Sequence, residues 1–244
     1  MFDELKKNFD KQGFVVVKNF LSVKEVKKAR VSLSDFCNKY LKKKQRRKRD
    51  INFSRLNQVN SIHDMEKWRW VKKIRKLRKT KKILKLLLNA KPKNFGSELF
   101  AKPARVGLKS PVHQDNFYWC IKENKGLTFW LALNNSTKKN GCVYYYAGSH
   151  KVGLLKHRPS NAPGSSQTIS ELIKLKKFKK IYPELKVGDC LIHDVMIAHG
   201  SKPNNSNIPR RGLTFRFIPK NSTFDLSRKK KYEKDLKSQI KKRN

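Results

Sequence analysis

The spacing of apolar residues changes near residue 97 and divides the chain into two parts. The first part is predicted to be mainly helical: a helix over residues 2–12, a strand over 14–20, a helix from Ser22 to Tyr40, a charged loop over 41–53 and helical segments to about residue 90. Ser22 and Glu25 form the S-x-x-E pattern of a capping box, which marks the start of the second helix. Beyond Glu25, apolar residues recur every three to four positions, which is the period of an amphipathic helix.

From residue 97 onward the apolar period is two, which is typical of strands. The predicted strands cover 97–103, 112–121, 126–134, 142–147, 187–193, 195–199 and 211–218. Many short strands separated by Gly, Pro, Asn and Ser favour a β sandwich or barrel, with the N-terminal helices covering one face. Residues 155–183 interrupt this pattern as an insert that is predicted to end in a basic helix over 169–180.

Composition removes several classes of protein. The chain has 244 residues and a formal net charge of +42, with 60 Lys+Arg against 18 Asp+Glu. Its aliphatic and aromatic content is high enough for a folded core despite that charge. No apolar run is long enough for a membrane span, and the first residues lack the pattern of a signal peptide. The four cysteines lie far apart, so we expect reduced thiols in a cytoplasmic protein.

The positive charge is concentrated in three segments. Residues 38–93 hold 22 basic and 3 acidic residues, including the run KKKQRRKR over Lys42–Arg49, and 72–85 has the pattern of a basic amphipathic helix. The tail from Pro219 carries 10 basic and 3 acidic residues. Such runs are compatible with a nucleic-acid- or ribosome-associated protein. Lysine outnumbers arginine 45 to 15, which codon drift in an AT-rich genome also produces, so charge alone decides no function.

The candidate chemistry lies in the less charged middle of the chain. Residues 111–121 read PVHQDNFYWCI, and in a strand His113, Asp115, Phe117 and Trp119 share one face. A histidine and a carboxylate that project together can bind one metal ion if a third ligand joins them. Candidates for that ligand are His150, His157, His193 and His199. Two histidines and one carboxylate suit non-heme Fe(II) and oxygen chemistry.

Several blocks in a fixed order resemble the phytanoyl-CoA dioxygenase family of Fe(II)/2-oxoglutarate oxygenases. They are KQGFVVVKNFLSVKEV, HQDNFYW, TFWLALNNSTKKNGC, GSHKVG, VGDCLIHDVMIAHGS and PRRGLTFRF. The resemblance covers nearly the whole chain except residues 42–93 and the tail after 219. It implies a mainly β fold with flanking helices: one domain over 1–244 with a double-stranded β-helix (jelly roll) core over 97–218, preceded by the strand and basic helices of 1–96 and followed by the tail 219–244.

The resemblance also implies roles for individual residues. His113, Asp115 and His199 match the iron triad, and Arg210 matches the residue that pairs with the distal carboxylate of 2-oxoglutarate. A guanidinium suits this role because it forks onto a carboxylate and stays charged. The adjacent Arg211 is a rival for that role, and Arg216 is a second one because it shares the face of Arg210 in a strand. Ser201 and Trp130 match positions that help to hold the cosubstrate. Lys102 matches a position near the pocket, although we expect a solvated lysine there.

The implied activity is an Fe(II)- and 2-oxoglutarate-dependent dioxygenase that uses O2 to hydroxylate a small, anionic organic substrate and releases succinate and CO2. Asp115 argues against halogenation, because related halogenases have a small residue in place of the carboxylate. The alternatives are the basic nucleic-acid-associated protein and a cupin-like metal-binding protein without 2-oxoglutarate. Among the other residues, His193 is expected in the core or against a ligand, His150 at the substrate entrance or in its turn, and one of Tyr144–Tyr146 in the core.

Overall fold

The N-terminal part of the chain is largely helical, as its sequence pattern predicts. The computed structural model describes residues 2–42, 51–53, 58–160, 162 and 166–241. The six α-helices of this described part are α1 (Phe2–Gln12), α2 (Val23–Lys42), α3 (Arg69–Lys76), α4 (Arg78–Leu88), α5 (Asp115–Trp119) and α6 (Leu226–Lys241). The basic run at 42–49 lies outside the described residues beyond Lys42. No helix of the described ranges is long and apolar enough to cross a membrane.

Eleven of the described strands build two antiparallel sheets that face each other, and the remaining two, β8 and β9, pair separately as a short antiparallel ribbon. They are β1 (Phe14–Val17), β2 (Ile51–Phe53), β3 (Val59–Ile62), β4 (Pro92–Lys102), β5 (Ser110–His113), β6 (Leu127–Ala132), β7 (Val143–Tyr146), β8 (His157–Pro159), β9 (Gln167–Ile169), β10 (Lys180–Ile181), β11 (Cys190–Asp194), β12 (His199–Ser201) and β13 (Arg210–Pro219). The larger sheet has the order β1-β11-β6-β13-β4-β3-β2 and the smaller one β10-β7-β12-β5. This is the double-stranded β-helix that the sequence predicted.

The two faces of the larger sheet have different chemistry because side chains alternate along each strand. On β13, Leu213, Phe215 and Phe217 face outward into an apolar core that they share with the helices. The intervening residues Arg210, Gly212, Thr214 and Arg216 face the inside of the jelly roll. The polar face of β13 is therefore directed toward the space between the sheets.

The basic segment 72–85 forms two helices instead of the single helix predicted from its period. The backbone at Leu77 is extended, with φ −57° and ψ 136°, and separates α3 from α4. The buried hydroxyl of Thr80 donates to the carbonyl of Ile74 at 2.7 Å, which also accepts the N–H of Leu77 at 3.2 Å, so the two helices are bonded across the break. Both helices bury their apolar residues in the core. Their lysines remain on the outer side.

The strand predicted over 112–121 is wrong after its first two residues. The strand β5 ends at His113 and one turn of helix, α5, follows at once. The buried side chain of Gln114 fixes this turn, because its amide donates to the carbonyls of Gly153 and Met196 at 2.9 and 2.6 Å. The helix ends at Cys120, where φ is +56°. His113 and Asp115 therefore meet through a turn, and Trp119 is buried in a separate apolar cluster.

Three further predictions differ from the structure. The segment 195–198 is a crossover between the sheets, since β11 lies in the larger sheet and β12 in the smaller one. The predicted basic helix over 169–180 contains only a 3-10 turn, Leu172–Leu175, because Ile169 and Leu175 pack inward against Leu155 and Ala198. Residues 51–53 and 59–62 are predicted as loop and helix, but they form the strands β2 and β3 of the larger sheet. The basic tail after Pro219, for which the sequence predicts no element, forms the helix α6.

Candidate active site

Three potential metal ligands meet where the two sheets open. His113 ends β5, Asp115 begins α5 and His199 begins β12, which pairs with β5 so that His199 lies opposite His113. The Nε2 atoms of both histidines lie 3.7 Å from Oδ1 of Asp115. One donor atom from each residue falls within 4.8 Å of the others. The structure therefore brings together the three residues that the sequence selected.

Each histidine is held in the tautomer that a metal requires. Nδ1 of His113 donates to the carbonyl of Pro111 at 2.8 Å, and Nδ1 of His199 donates to that of Ile197 at 3.0 Å. The lone pair of each ring is thereby left on Nε2, toward Asp115. Burial lowers the pKa of His113, and it lowers the pKa of His199 to about 3. Both rings are neutral at pH 7, which is the form that binds metals.

The carboxylate of Asp115 is oriented by three other side chains. Its Oδ2 atom accepts hydrogen bonds from the hydroxyl of Thr128 at 2.7 Å and from Nε2 of His193 at 3.1 Å. The hydroxyl of Tyr145 in turn donates to Nδ1 of His193 at 2.8 Å. Burial raises the pKa of Asp115, but the hydrogen bond from His193 and the surrounding histidines outweigh it and leave the pKa far below its ordinary value. An ionised carboxylate thus presents Oδ1 toward His113 and His199.

The donor set fits a divalent iron. Two neutral imidazole nitrogens and one carboxylate oxygen are the ligands of the facial triads that bind non-heme Fe(II), and they leave coordination positions open. His113 and Asp115 keep 14% and 15% of their side chains accessible, so these positions can be reached from outside. Hydrogen bonds to the far atoms of ligands, as seen on all three residues, are a usual feature of metal sites.

Arg210 and Trp130 form a second group of candidate functional residues between the sheets. Arg210 is 3% exposed, its Nε donates to the carbonyl of Gly141 at 3.2 Å, and its guanidinium lies 4.9 Å from the ring of Trp130. Gly212 makes room for that ring, since a Cβ there would come within 1.9 Å of it. Ser201, also buried, lies two residues after His199 on β12.

Lys102 lies beside this arginine and is buried instead of solvated. It is directly opposite Arg210 in the β4–β13 pair and 4% exposed, and its Nζ donates to the carbonyl of Leu108. Burial and the neighbouring guanidinium hold the pKa of Lys102 well below its ordinary value, and burial lowers the pKa of Arg210 to about 10. Within the described residues, neither cation forms a salt bridge with a carboxylate. Two unpaired buried cations make this end of the jelly roll suitable for an anion.

The structure separates Arg210 from its rivals. Arg211 points to the opposite side of β13 and is exposed. Arg216 points inward but its Nη2 lies 3.1 Å from Oε1 of Glu98, so it already has a carboxylate partner. The same Oε1 accepts a 2.6 Å hydrogen bond from Nδ1 of His63. The Glu98 network was not found from the sequence, although Glu98 and Lys102 have the even spacing of one strand face.

The remaining histidines have other partners. His150 lies 3.2 Å through Nε2 from the carbonyl of Asp10 and holds its turn against α1. Nδ1 of His157 donates to the carbonyl of Leu155, and its Nε2 accepts the backbone N–H of Gln114. His193 contacts Asp115, as one of its two sequence interpretations expected. Tyr145 is fully buried between the sheets, which confirms the prediction of one core tyrosine.

Comparison of the whole fold places these residues in a known architecture. EctD from S. alaskensis, in a structure with 2-oxoglutarate and 5-hydroxyectoine, superposes with a TM-score of 0.75 over 91% of this chain and 77% of its own, at 18% identity. The epimerase SnoN from nogalamycin biosynthesis, in complex with Fe3+, alpha ketoglutarate and nogalamycin RO, gives a TM-score of 0.73 over 91% of this chain and 85% of its own, at 16% identity. At these identities the likeness establishes the fold.

Sequence comparison identifies the family. A phytanoyl-CoA dioxygenase domain-containing protein 1 homolog of Dictyostelium discoideum is 29% identical over 123 residues, which is 48% of this chain and 43% of that protein. The peroxisomal phytanoyl-CoA dioxygenase of Bos taurus is 22% identical over 231 residues, 89% of this chain and 68% of that protein. The family described as Phytanoyl-CoA dioxygenase (PhyH) matches residues 9–212. The chain therefore belongs to the phytanoyl-CoA dioxygenase family of non-heme Fe(II)/2-oxoglutarate oxygenases.

Proposed function

We propose that this protein is a dioxygenase that hydroxylates a small organic molecule, with His113, Asp115 and His199 as ligands of Fe(II) and Arg210 as the partner of 2-oxoglutarate. The observation that carries the proposal is the cluster of two neutral imidazoles and one ionised carboxylate within 4.8 Å, in the same jelly roll as two buried cations without a salt bridge to any described carboxylate. A metal alone would not require Lys102 and Arg210. A dicarboxylate that reaches from the metal to these cations would use both features.

The protein's own groups have distinct tasks in this proposal. Lys102 and Arg210 bind the distal carboxylate of 2-oxoglutarate, while Trp130 and Ser201 bound the space between them and the triad. When bound, iron and 2-oxoglutarate supply the oxidising chemistry that places one atom of O2 on the substrate and leaves succinate and CO2. Thr128 and His193 hold Asp115 so that only Oδ1 is free. The apolar surroundings exclude water from the reacting groups.

The identity of the substrate is a separate question. The basic surface attracts anions to the protein, which supports a substrate that carries a carboxylate, phosphate or phosphonate. The jelly-roll fold accepts many substrates, so the loops around the site decide among them.

The proposal is tested by anaerobic addition of Fe(II) and 2-oxoglutarate, followed by exposure to O2. We expect a weak visible charge-transfer band before O2 is added and succinate afterwards. Asp115→Ala and His199→Ala should abolish both signals, whereas His150→Gln, in a turn outside the site, should retain them. Succinate formation that is undiminished in the first two variants would refute the triad. Stabilisation by Fe(II) without any effect of 2-oxoglutarate would favour a metal-binding protein of another kind.

A further inference from the structure

A chain of aromatic rings leads from the metal site to the surface. The ring of Tyr118 lies edge-on to that of His113, with centroids 5.5 Å apart, and Tyr232 is 5.5 Å beyond Tyr118. Phe117 is stacked on His157 at 4.3 Å and lies 6.2 Å from Tyr232. The four rings beyond His113 are all half-buried. They form a continuous surface, here called the aromatic wall: Phe117, Tyr118, His157 and Tyr232.

Three separate segments contribute to the aromatic wall. Phe117 and Tyr118 belong to α5, His157 begins the insert strand β8, and Tyr232 lies on α6. Tyr118 is fixed because its hydroxyl donates to the carbonyl of Gln167 at 3.3 Å and accepts the N–H of the same residue at 3.2 Å. Both ring nitrogens of His157 have backbone partners that require its neutral form. The wall therefore presents uncharged rings on a fixed framework.

The helix α6 is held in place by the residues that follow α5. The backbone N–H of Asp225 donates to the carbonyl of Cys120 at 2.8 Å, and the N–H of Lys122 donates to that of Thr223 at 3.1 Å. The Asp225 carboxylate accepts the N–H of Arg228 at 3.0 Å and caps the helix. Phe224 stacks on Phe95 with centroids 6.0 Å apart. These contacts fix where Tyr232 reaches the wall.

The contribution of Tyr232 comes from outside the residues that match the family. The family match ends at residue 212, and α6 begins at Leu226. The hydroxyl of Tyr232 lies 3.4 Å from that of Ser166, so α6 also contacts the insert. A helix beyond the matched residues thus contributes a ring to the aromatic wall that begins beside His113.

We propose that the aromatic wall binds the substrate and that Tyr232 determines its specificity, so that this enzyme takes organic molecules with a planar apolar ring beside the carbon to be oxidised. Edge and face contacts with aromatic side chains stabilise a bound flat ring, in addition to the burial of its apolar area. This inference rests on the proposed function, because the wall matters for catalysis only if the triad binds iron.

The test measures ring binding directly, with benzyl alcohol as the probe and saturation-transfer NMR as the readout. The full chain is used both metal-free and with Zn(II) and 2-oxoglutarate. We expect the parent protein and Tyr232→Phe to bind benzyl alcohol and Tyr232→Ala to bind it about tenfold more weakly, as the loss of an aromatic contact implies. Phe117→Leu should weaken binding similarly from the other side of the wall.

Tyr182→Ala is the matched control, because this half-buried tyrosine lies against Lys138 and Lys202 away from the wall. Binding that is absent in the parent, unchanged in both Tyr232→Ala and Phe117→Leu, or equally reduced in Tyr182→Ala would overturn the inference. Circular dichroism of each variant shows that it is folded. Benzyl alcohol binding to the metal-free protein does not depend on catalysis and tests only the aromatic wall. Succinate formation tests the oxygenase assignment, so failure of either proposal can be recognised separately.

Discussion

His193 donates from Nε2 to Oδ2 of Asp115 at 3.1 Å, which leaves Oδ1 of that carboxylate toward His113 and His199. The hydroxyl of Tyr145 donates to Nδ1 of the same ring at 2.8 Å and so keeps the proton of a neutral His193 on Nε2. The buried Tyr145 thereby helps to orient the carboxylate of Asp115 through His193, without a hydrogen bond of its own to Asp115.

Loss of this contact should weaken metal binding. We expect His193→Phe to lower the affinity for Co(II) by about 10–100-fold, the usual effect of removing a hydrogen bond to a metal ligand. Tyr145→Phe should give a smaller loss, because the ring can then carry its proton on either nitrogen. Anaerobic calorimetric titration measures both. Tyr146→Phe, the adjacent tyrosine near Lys180, is the control, and equal affinities in all four proteins would contradict the role of His193.

Arg210 and its neighbour in sequence should differ sharply. Arg210→Ala should weaken 2-oxoglutarate binding by about 2–5 kcal/mol, because it removes one member of a buried charge pair. Arg211→Ala should have little effect, since Arg211 is exposed on the other side of β13. The concentration of 2-oxoglutarate that gives half-maximal charge-transfer absorbance reports the difference. A larger effect from Arg211→Ala would place the cosubstrate on the opposite face of β13 and contradict the assignment of Arg210.

Lys102→Met should have opposite effects on folding and on binding. The pKa of Lys102 in the folded protein is well below its ordinary value of 10.5, and each unit of that depression costs the folded state about 1.4 kcal/mol when the amine is charged. The variant should therefore be more stable than the parent at pH 7 without ligand. It should also bind 2-oxoglutarate more weakly. Thermal unfolding with and without 2-oxoglutarate measures both effects.

The same residue predicts a dependence on pH. Between the lowered folded-state pKa of Lys102 and 10.5, the unfolded chain binds one proton more than the folded chain. Stability contributed by this group therefore rises with pH across that window. The stability difference between parent and Lys102→Met should shrink as pH rises, and a constant difference up to pH 10.5 would show that folding does not lower the pKa of Lys102.

Glu98 should contribute stability that acid removes. Burial raises its pKa, but the charge of Arg216 and the hydrogen bond from His63 outweigh burial, so the folded-state pKa lies below 4.5. Its stabilising effect is complete above 4.5 and is lost as pH falls through the folded-state value. Glu98→Gln should lower the free energy of unfolding by about 1.5–3 kcal/mol at pH 7 and by less at pH 3. Urea unfolding at the two pH values measures this difference. Glu233→Gln, exposed on α6, should match the parent at both pH values.

The basic surface permits a test of nucleic-acid binding. If lysines bind phosphates only through charge, RNA binding should weaken by several orders of magnitude between about 50 and 200 mM salt. We expect this steep loss in a filter-binding titration of single-stranded RNA. Nanomolar binding that persists at physiological salt would instead favour a function on a macromolecule.

The sequence anticipated the site better than the local structure around it. The order of blocks selected His113, Asp115 and His199, which the structure brings within 4.8 Å of one another, and the role of Arg210 stays a prediction. The reasoning that placed His113 and Asp115 on one strand face was wrong, since the chain turns into α5 after His113. Alternation along β13 did predict correctly that Arg210 and Arg216 share a face.

By itself, the sequence determined the period of the strands and a β sandwich or barrel, which depend on local pattern, and its resemblance to a known family selected the jelly roll and the three candidate metal ligands. Tertiary structure decided what depends on contacts between distant segments: the burial of Lys102 beside Arg210, the pairing of Glu98 with Arg216, and the contact of Tyr232 with α5. Such contacts join residues more than a hundred positions apart, so no local period encodes them. They form because packing of the sheets and helices removes water from groups that the sequence leaves far apart.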